Sequence, residues 1–139
     1  MLAQPRVLLI SSDEAESNAL EEVLSEYVNL QNAGNLSEVE KMLEDDEYDA
    51  VFCGRSFHQG AWNDALEEVQ QRCPDLPVII FSRTGDEQEW SEVIEAGGFD
   101  LLVAPYLEST VLPVLEYAVE SFEARHLHNA MLNPVKEVS

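Results

Sequence analysis

Several residues able to do chemistry stand where short apolar runs end. Ser11, Ser12 and Asp13, with Glu14 behind them, follow Val7-Leu8-Leu9-Ile10; Gly54 and Arg55 follow Val51-Phe52-Cys53; Ser82 and Arg83 follow Val78-Ile79-Ile80-Phe81; Ala104 and Pro105 follow Leu101-Leu102-Val103. Hydroxyls, carboxylates and guanidinium groups gathered in one place could hold a cation, cradle a phosphate or pair with each other. Asp13 and Glu14 are the metal candidates, since Mg²⁺ and Ca²⁺ are taken by carboxylate oxygens, but two acids make a poor ligand set. No metal and no cofactor is expected. Ser11, Ser12 and Ser17 near a helix start could receive a phosphate on free N–H groups. Asp13, Glu14 and Glu16 would repel it, and helix capping explains the same residues.

The remaining reactive side chains point to no catalysis. Cys53 lies in an apolar run, where a thiol behaves as a small buried hydrophobe, and no His-Asp partner pattern accompanies it. Cys53 and Cys73 are too few for a disulfide framework and lack the spacing of a zinc site, so both are read as thiols in a reducing cytosol. His58, His126 and His128 have no companion ligands at metal spacing, and Trp62 and Trp90 are read as packing residues. The expectation is a protein that is not an enzyme.

Charge narrows the partners. Among 139 residues, 28 are acidic and 7 basic, a formal net charge of −21, and 45% are hydrophobic. Such a field opposes DNA, RNA and anionic membranes and favours a basic or neutral protein surface. No apolar run reaches the ~20 residues of a membrane span and no signal peptide is evident, so a soluble cytoplasmic protein is expected.

Placing these residues requires elements, and the pattern supplies five strand-then-helix units. Val7–Ile10 is a buried strand leading into a helix whose apolar face is Leu20, Val23, Leu24 and Tyr27, with Glu16, Glu21, Glu22 and Glu26 largely off that face. A weaker strand covers 28–33, and a helix with Leu36, Val39, Met42 and Leu43 follows Gly34-Asn35. Strands at 49–53, 78–81 and 101–103 alternate with helices at about 63–72, 86–96 and from about 109, where Pro113 is tolerable within the first turn. Continuous apolar strands between amphipathic helices mean a parallel sheet covered on both faces, with any site at the carboxyl ends of its strands. The domain reading is 1–124 for the sheet domain and 125–139 for an extension of the last helix and a tail. Leu127 and Met131 continue the apolar spacing there, either as a dimer or docking contact or as a solvent-exposed tail.

Pro77 to Tyr106 (PVIIFSRTGDEQEWSEVIEAGGFDLLVAPY) carries a strand ending in Ser, a helix ending in an Ala-Gly turn and a strand ending in X-Pro. In this it resembles the response-regulator receiver (CheY-like) family, and the resemblance extends from about Val7 to Ala124. It implies a flavodoxin-like (βα)5 doubly wound sandwich with a five-stranded parallel sheet of order 2-1-3-4-5. It also places Gly54 where the family keeps its phosphoryl-accepting aspartate, and Ala104, 22 residues after Ser82, where it keeps its lysine. Ser11 and Ser12 replace the metal-binding acids, with Asp13 the next acidic position, and Leu101 replaces the switch aromatic that couples to the Ser82 position. The residues 55–62 lack the usual Pro-Gly pattern of that loop.

What the resemblance implies is a stand-alone pseudo-receiver of two-component or phosphorelay signalling, acting by phosphorylation-independent contact. Its partners would be a histidine kinase or another signalling protein, and a homodimer through the fourth helix, fifth strand and fifth helix is a candidate assembly. The alternative is a receiver-like domain that still binds a divalent cation or small ligand through Asp13 and Glu14. Arg55 and Arg83 lie just past two strand ends, and one of them is expected to enter the vacated pocket and pair with Asp13 or Glu14; two solvated arginines are the plainer expectation.

Overall fold

A computed structural model describes residues 4–59 and 61–132, with side chains described as far as residue 125 except that of Gln59. The strands are β1 (Arg6–Ile10), β2 (Asn29–Ala33), β3 (Ala50–Gly54), β4 (Val78–Ser82) and β5 (Asp100–Val103). The α-helices are α1 (Glu14–Leu24), α2 (Leu36–Asp45), α3 (Trp62–Arg72), α4 (Glu87–Glu95) and α5 (Glu108–Leu132). All neighbouring strands pair in parallel in the order β2-β1-β3-β4-β5, the flavodoxin-like arrangement expected from the sequence.

The central strands are apolar throughout, apart from Arg6 at the start of β1 and Ser82 at the end of β4, because both faces of the sheet are covered. Val7, Leu9, Phe52, Ile79 and Phe81 point to one side and pack with Leu20 and Leu24 of α1 and Val111, Leu115 and Ala118 of α5. Leu8, Ile10, Val51, Cys53 and Ile80 point to the other and pack with Val39, Ala65, Leu66, Val69 and Val93 of α2, α3 and α4. Register brings Ile10 beside Cys53, Cys53 beside Ile80 and Gly54 beside Phe81, so the strands end nearly level and their following loops meet. The edge strand β2, NLQNA, is the polar exception.

Short polar side chains start three of the helices. Asp13, Asn35 and Asp86 are N-caps whose Oδ1 atoms accept the N–H of Glu16, Glu38 and Glu89 at 3.2, 2.9 and 2.8 Å. Such caps contribute about 1 kcal/mol each and fix where each loop becomes helix. Gly97, at φ +101°, ends α4 in the left-handed region that glycine enters without penalty.

Three local expectations are corrected. Helix α1 ends at Leu24, so Tyr27 lies in the following turn, 40% exposed, and not on a buried helical face. Helix α5 begins at Glu108, which puts Pro113 beyond the first turn; the helix continues through it. Glu16 is 5% exposed, although its charge had placed it off the packed face. It stands one turn ahead of Leu20 and two ahead of Leu24, on the same stripe. Helix α5 runs without a break across the 124/125 division, while the side chains of His126, Leu127, His128 and Met131 lie outside the described residues.

Candidate functional site

The segments after β1, β3 and β4 surround a pocket of about 270 Å³ lined by Asp13, Glu16, Arg55, Ser56, Ser82, Arg83 and Thr84. Its floor is the end of β3. A Cβ on Gly54 would stand 3.2 Å from the Phe81 ring and 3.5 Å from Glu16 Oε1, so the Glu16 carboxylate fills the space into which a longer side chain at position 54 would extend. The third residue of α1 reaches this place because the Asp13 cap aims the first helical turn across the strand ends.

Arg83, the first residue after β4, closes the pocket. Its guanidinium pairs with Asp13 through Nη2 and lies 3.2 Å from Glu16 Oε2 through Nε. The arginine side chain is 64% exposed while that of Glu16 is 3% exposed, so the pair joins a solvated cation to a buried anion. Glu16 Oε1, the other oxygen, and the Tyr106 hydroxyl are both buried and face each other without a fully formed hydrogen bond. Burial pushes the Glu16 carboxyl up, with Arg83 opposing and Asp13 adding to the rise. Burial, and after it the Glu16 charge, also pushes the Tyr106 hydroxyl up. Tyr106 sits edge-on to Phe81 with ring centroids 5.8 Å apart, which ties the residue after Pro105 to the pocket floor.

Arg55 behaves differently from Arg83. It turns to α4, with Nη2 3.0 Å from Glu92 and Nη1 3.7 Å from Glu89. Its backbone N–H donates to Phe81 O at 2.8 Å. Of the four residues named for a pocket ion pair, the structure brings Arg83 and Asp13 together, directs Arg55 to α4 and leaves Glu14 exposed.

The hydroxyls bind backbone. Ser11 Oγ accepts the Asp13 N–H and donates to Asp13 O, both at 3.2 Å. Ser12 Oγ accepts the His58 N–H at 2.9 Å, and a ring nitrogen of His58 lies 2.8 Å from Gly34 O. His58 has φ +41°, so these contacts hold the loop after β3 in a left-handed turn that glycine usually supplies. Ser82, 8% exposed, takes the Thr84 N–H on Oγ at 3.3 Å and accepts the Ala104 N–H on its carbonyl at 2.9 Å. Leu101 is opposite Ile80 in register and half-buried; Ala104 and Pro105 are joined by a cis peptide. Cys53 is fully buried, which pushes its thiol up and leaves it protonated, a poor nucleophile. Glu16, Tyr106 and the Ser12–His58 contact are the members of the site that sequence reasoning missed. The spacing of Glu16 to Leu20 and Leu24 was the available signal for the first; nothing local marks the other two.

Among the described residues, no group of three or more His, Cys, Asp or Glu side chains could hold a metal ion, and no helix is long and apolar enough to cross a membrane. A model of the response regulator receiver domain matches residues 7–116. The response regulator protein PilR of Pseudomonas aeruginosa is 27% identical over 99 residues, which are 70% of this chain and 22% of PilR. The chain spans a quarter or less of the length of the curated relatives it matches. The signal receiver domain of an HD domain-containing protein from Pseudomonas fluorescens Pf-5 has the same fold, with a TM-score of 0.76 at 22% identity over 88% of this chain and 99% of that one. The beryllofluoride-activated NtrC4 receiver domain dimer gives 0.75 at 21% identity over 84% and 98%.

Proposed function

The chain belongs to the response regulator receiver domain family, and on that premise we propose that it is a pseudo-receiver, a two-component signalling module that works by protein–protein contact without aspartyl phosphorylation. One observation carries this reading. Glu16 Oε1 lies 3.5 Å from where a Cβ at Gly54 would be, and Arg83 holds both Glu16 and Asp13. Gly54 has no atom to accept a phosphoryl group, and the carboxylate beside it already has its counter-charge. The pocket thus contains, within one chain, a buried anion capped by a cation from the loop after β4. It has no catalytic role on this reading.

The alternative, a divalent cation held by Asp13 and Glu14, draws less support. Glu14 is exposed and the Asp13 carboxylate is engaged by Arg83, which a cation would have to displace against its own charge. Partners fit the charge of the chain: a histidine kinase or another signalling protein offering a basic surface, which a net charge of −21 would steer into contact at low salt. Trp90 and Ile94 on α4, Val103 on β5 and Leu107 before α5 are exposed apolar side chains on the face proposed for a homodimer.

A two-dimensional amide NMR titration with Mg²⁺ and then beryllofluoride tests the reading. Amides of Ser12, Gly54 and Ser82 are expected to stay in place throughout. Saturable shifts at these positions would overturn it in favour of a responsive pocket.

A further inference from the structure

The strand-end crevice holds an anion without its full complement of partners. Glu16 is 5% exposed, one of its oxygens is served by Arg83 Nε at 3.2 Å, and the other is buried, facing the Tyr106 hydroxyl without a fully formed hydrogen bond. A buried carboxylate with an incompletely paired oxygen is costly as an anion and much less so as a neutral acid, because desolvation penalises the charge. Deepening the pseudo-receiver reading, we infer that this crevice responds to protons: a proton on Glu16 Oε1 releases Arg83, and with it the loop from Arg83 to Asp86.

The groups facing Glu16 come from four segments. Asp13, at the α1 cap, is a second carboxylate on the same guanidinium. Arg83, from the loop after β4, supplies the compensating charge. Tyr106, after β5, presents a buried hydroxyl that faces the carboxylate as a donor and so favours the charged form, opposing burial; toward a protonated Glu16 the same oxygen can accept. Arg55, after β3, lines the same pocket but is engaged by Glu89 and Glu92 of α4.

Burial is the largest influence on Glu16 and pushes its carboxyl up, with Asp13 adding to the rise and Arg83 and the Tyr106 hydroxyl opposing it. Protonation leaves Arg83 with Asp13 alone, an exposed pair of small worth. The loop it anchors leads directly to the Asp86 cap of α4, so a change at Glu16 is felt at that helix N-terminus.

The test is carboxyl-carbon and amide NMR of the full chain between about pH 8 and 4.5. The Glu16 carboxyl carbon is expected to titrate above the ordinary glutamate value of ~4.3, and the amides of Arg83, Thr84 and Gly85 to shift with the same midpoint. In Glu16→Gln the loop transition is lost and these amides sit at the acid-limit positions of the parent at every pH. In His58→Gln the transition persists, which separates Glu16 from the imidazole at the Ser12 turn. A Glu16 carbon titrating at the ordinary value, loop amides that do not follow it, or a transition that survives in Glu16→Gln would each overturn the inference. The parent protein carries the first two readouts, so a variant that fails to fold leaves the test decisive. Beryllofluoride is absent from this titration; a response to it would overturn the pseudo-receiver reading alone.

Discussion

The two ends of the sheet treat their charges in opposite ways. At the amino-terminal ends of the strands, Arg6 pairs with Asp46 at 3.0 Å, lies over the Tyr48 ring at 5.7 Å and has its backbone N–H satisfied by Asp49 at 2.8 Å. Both members of that ion pair keep about a third of their side-chain surface in water. At the carboxyl-terminal ends, Glu16 is buried, one oxygen lacks a fully formed hydrogen bond, and the cation paired with it, Arg83, is mostly in solvent. The first arrangement is satisfied on every side and nearly neutral in energy. The second keeps a buried charge that would be better placed elsewhere, as is typical where a structure has kept a site poised to change. A polar contact at a strand end is therefore no guide to its role; what distinguishes the two ends is desolvation without full pairing.

The sharpest way to break the contrast is to add a second carboxylate to the crowded end. Gly54→Asp must fit its Cβ 3.2 Å from the Phe81 ring and bring its charge against Glu16. Urea denaturation is expected to show a loss of about 3 kcal/mol. Adding Glu16→Ala should recover part of that loss by double-mutant cycle; an additive pair would mean that Glu16 does not occupy the position-54 space.

A smaller effect of the opposite sign is expected from Glu16→Gln. Because the Glu16 carboxyl is raised in the folded protein, the folded state binds more protons than the unfolded chain between the ordinary glutamate value and the raised one. The contribution of this group to stability is thus most favourable in acid and is lost as pH rises through that window. Removing the charge should flatten that slope and stabilise the protein at pH 7 by about 1 kcal/mol, the scale of one buried group relieved of poor pairing. Thermal melts at several pH values measure it, and a lower Tm for the variant at pH 7 would show that Arg83 outweighs burial.

The smallest effect belongs to the other end. Asp46→Ala removes the partner of Arg6, and a change of roughly 0–1 kcal/mol is expected, shrinking further with added salt. A loss as large as that of Gly54→Asp would erase the contrast between the two ends.

Much of this protein was legible in its residues. Apolar strands, the caps Asp13, Asn35 and Asp86, and the Ala96-Gly97 helix end are local signals, and each describes one element at a time. That Gly54 and Ala104 carry no functional group is equally plain from their type, and the resemblance to receivers alone gives those positions their meaning. Tyr27 was misplaced because a pattern of apolar residues does not show where a helix stops. Glu16 was misplaced because its type outweighed its position, four residues ahead of Leu20.

Sequence by itself thus determined the sheet and its order of elements. Tertiary structure alone decided that the stripe carrying Glu16 ends over a crevice, that Arg83 closes it while Arg55 turns to α4, and that Tyr106 faces the same carboxylate. The physical reason is that the crevice is made where four loops from separate strands converge. Periodicity reports which face of one element is covered, but the cost of a buried charge depends on groups from all of them.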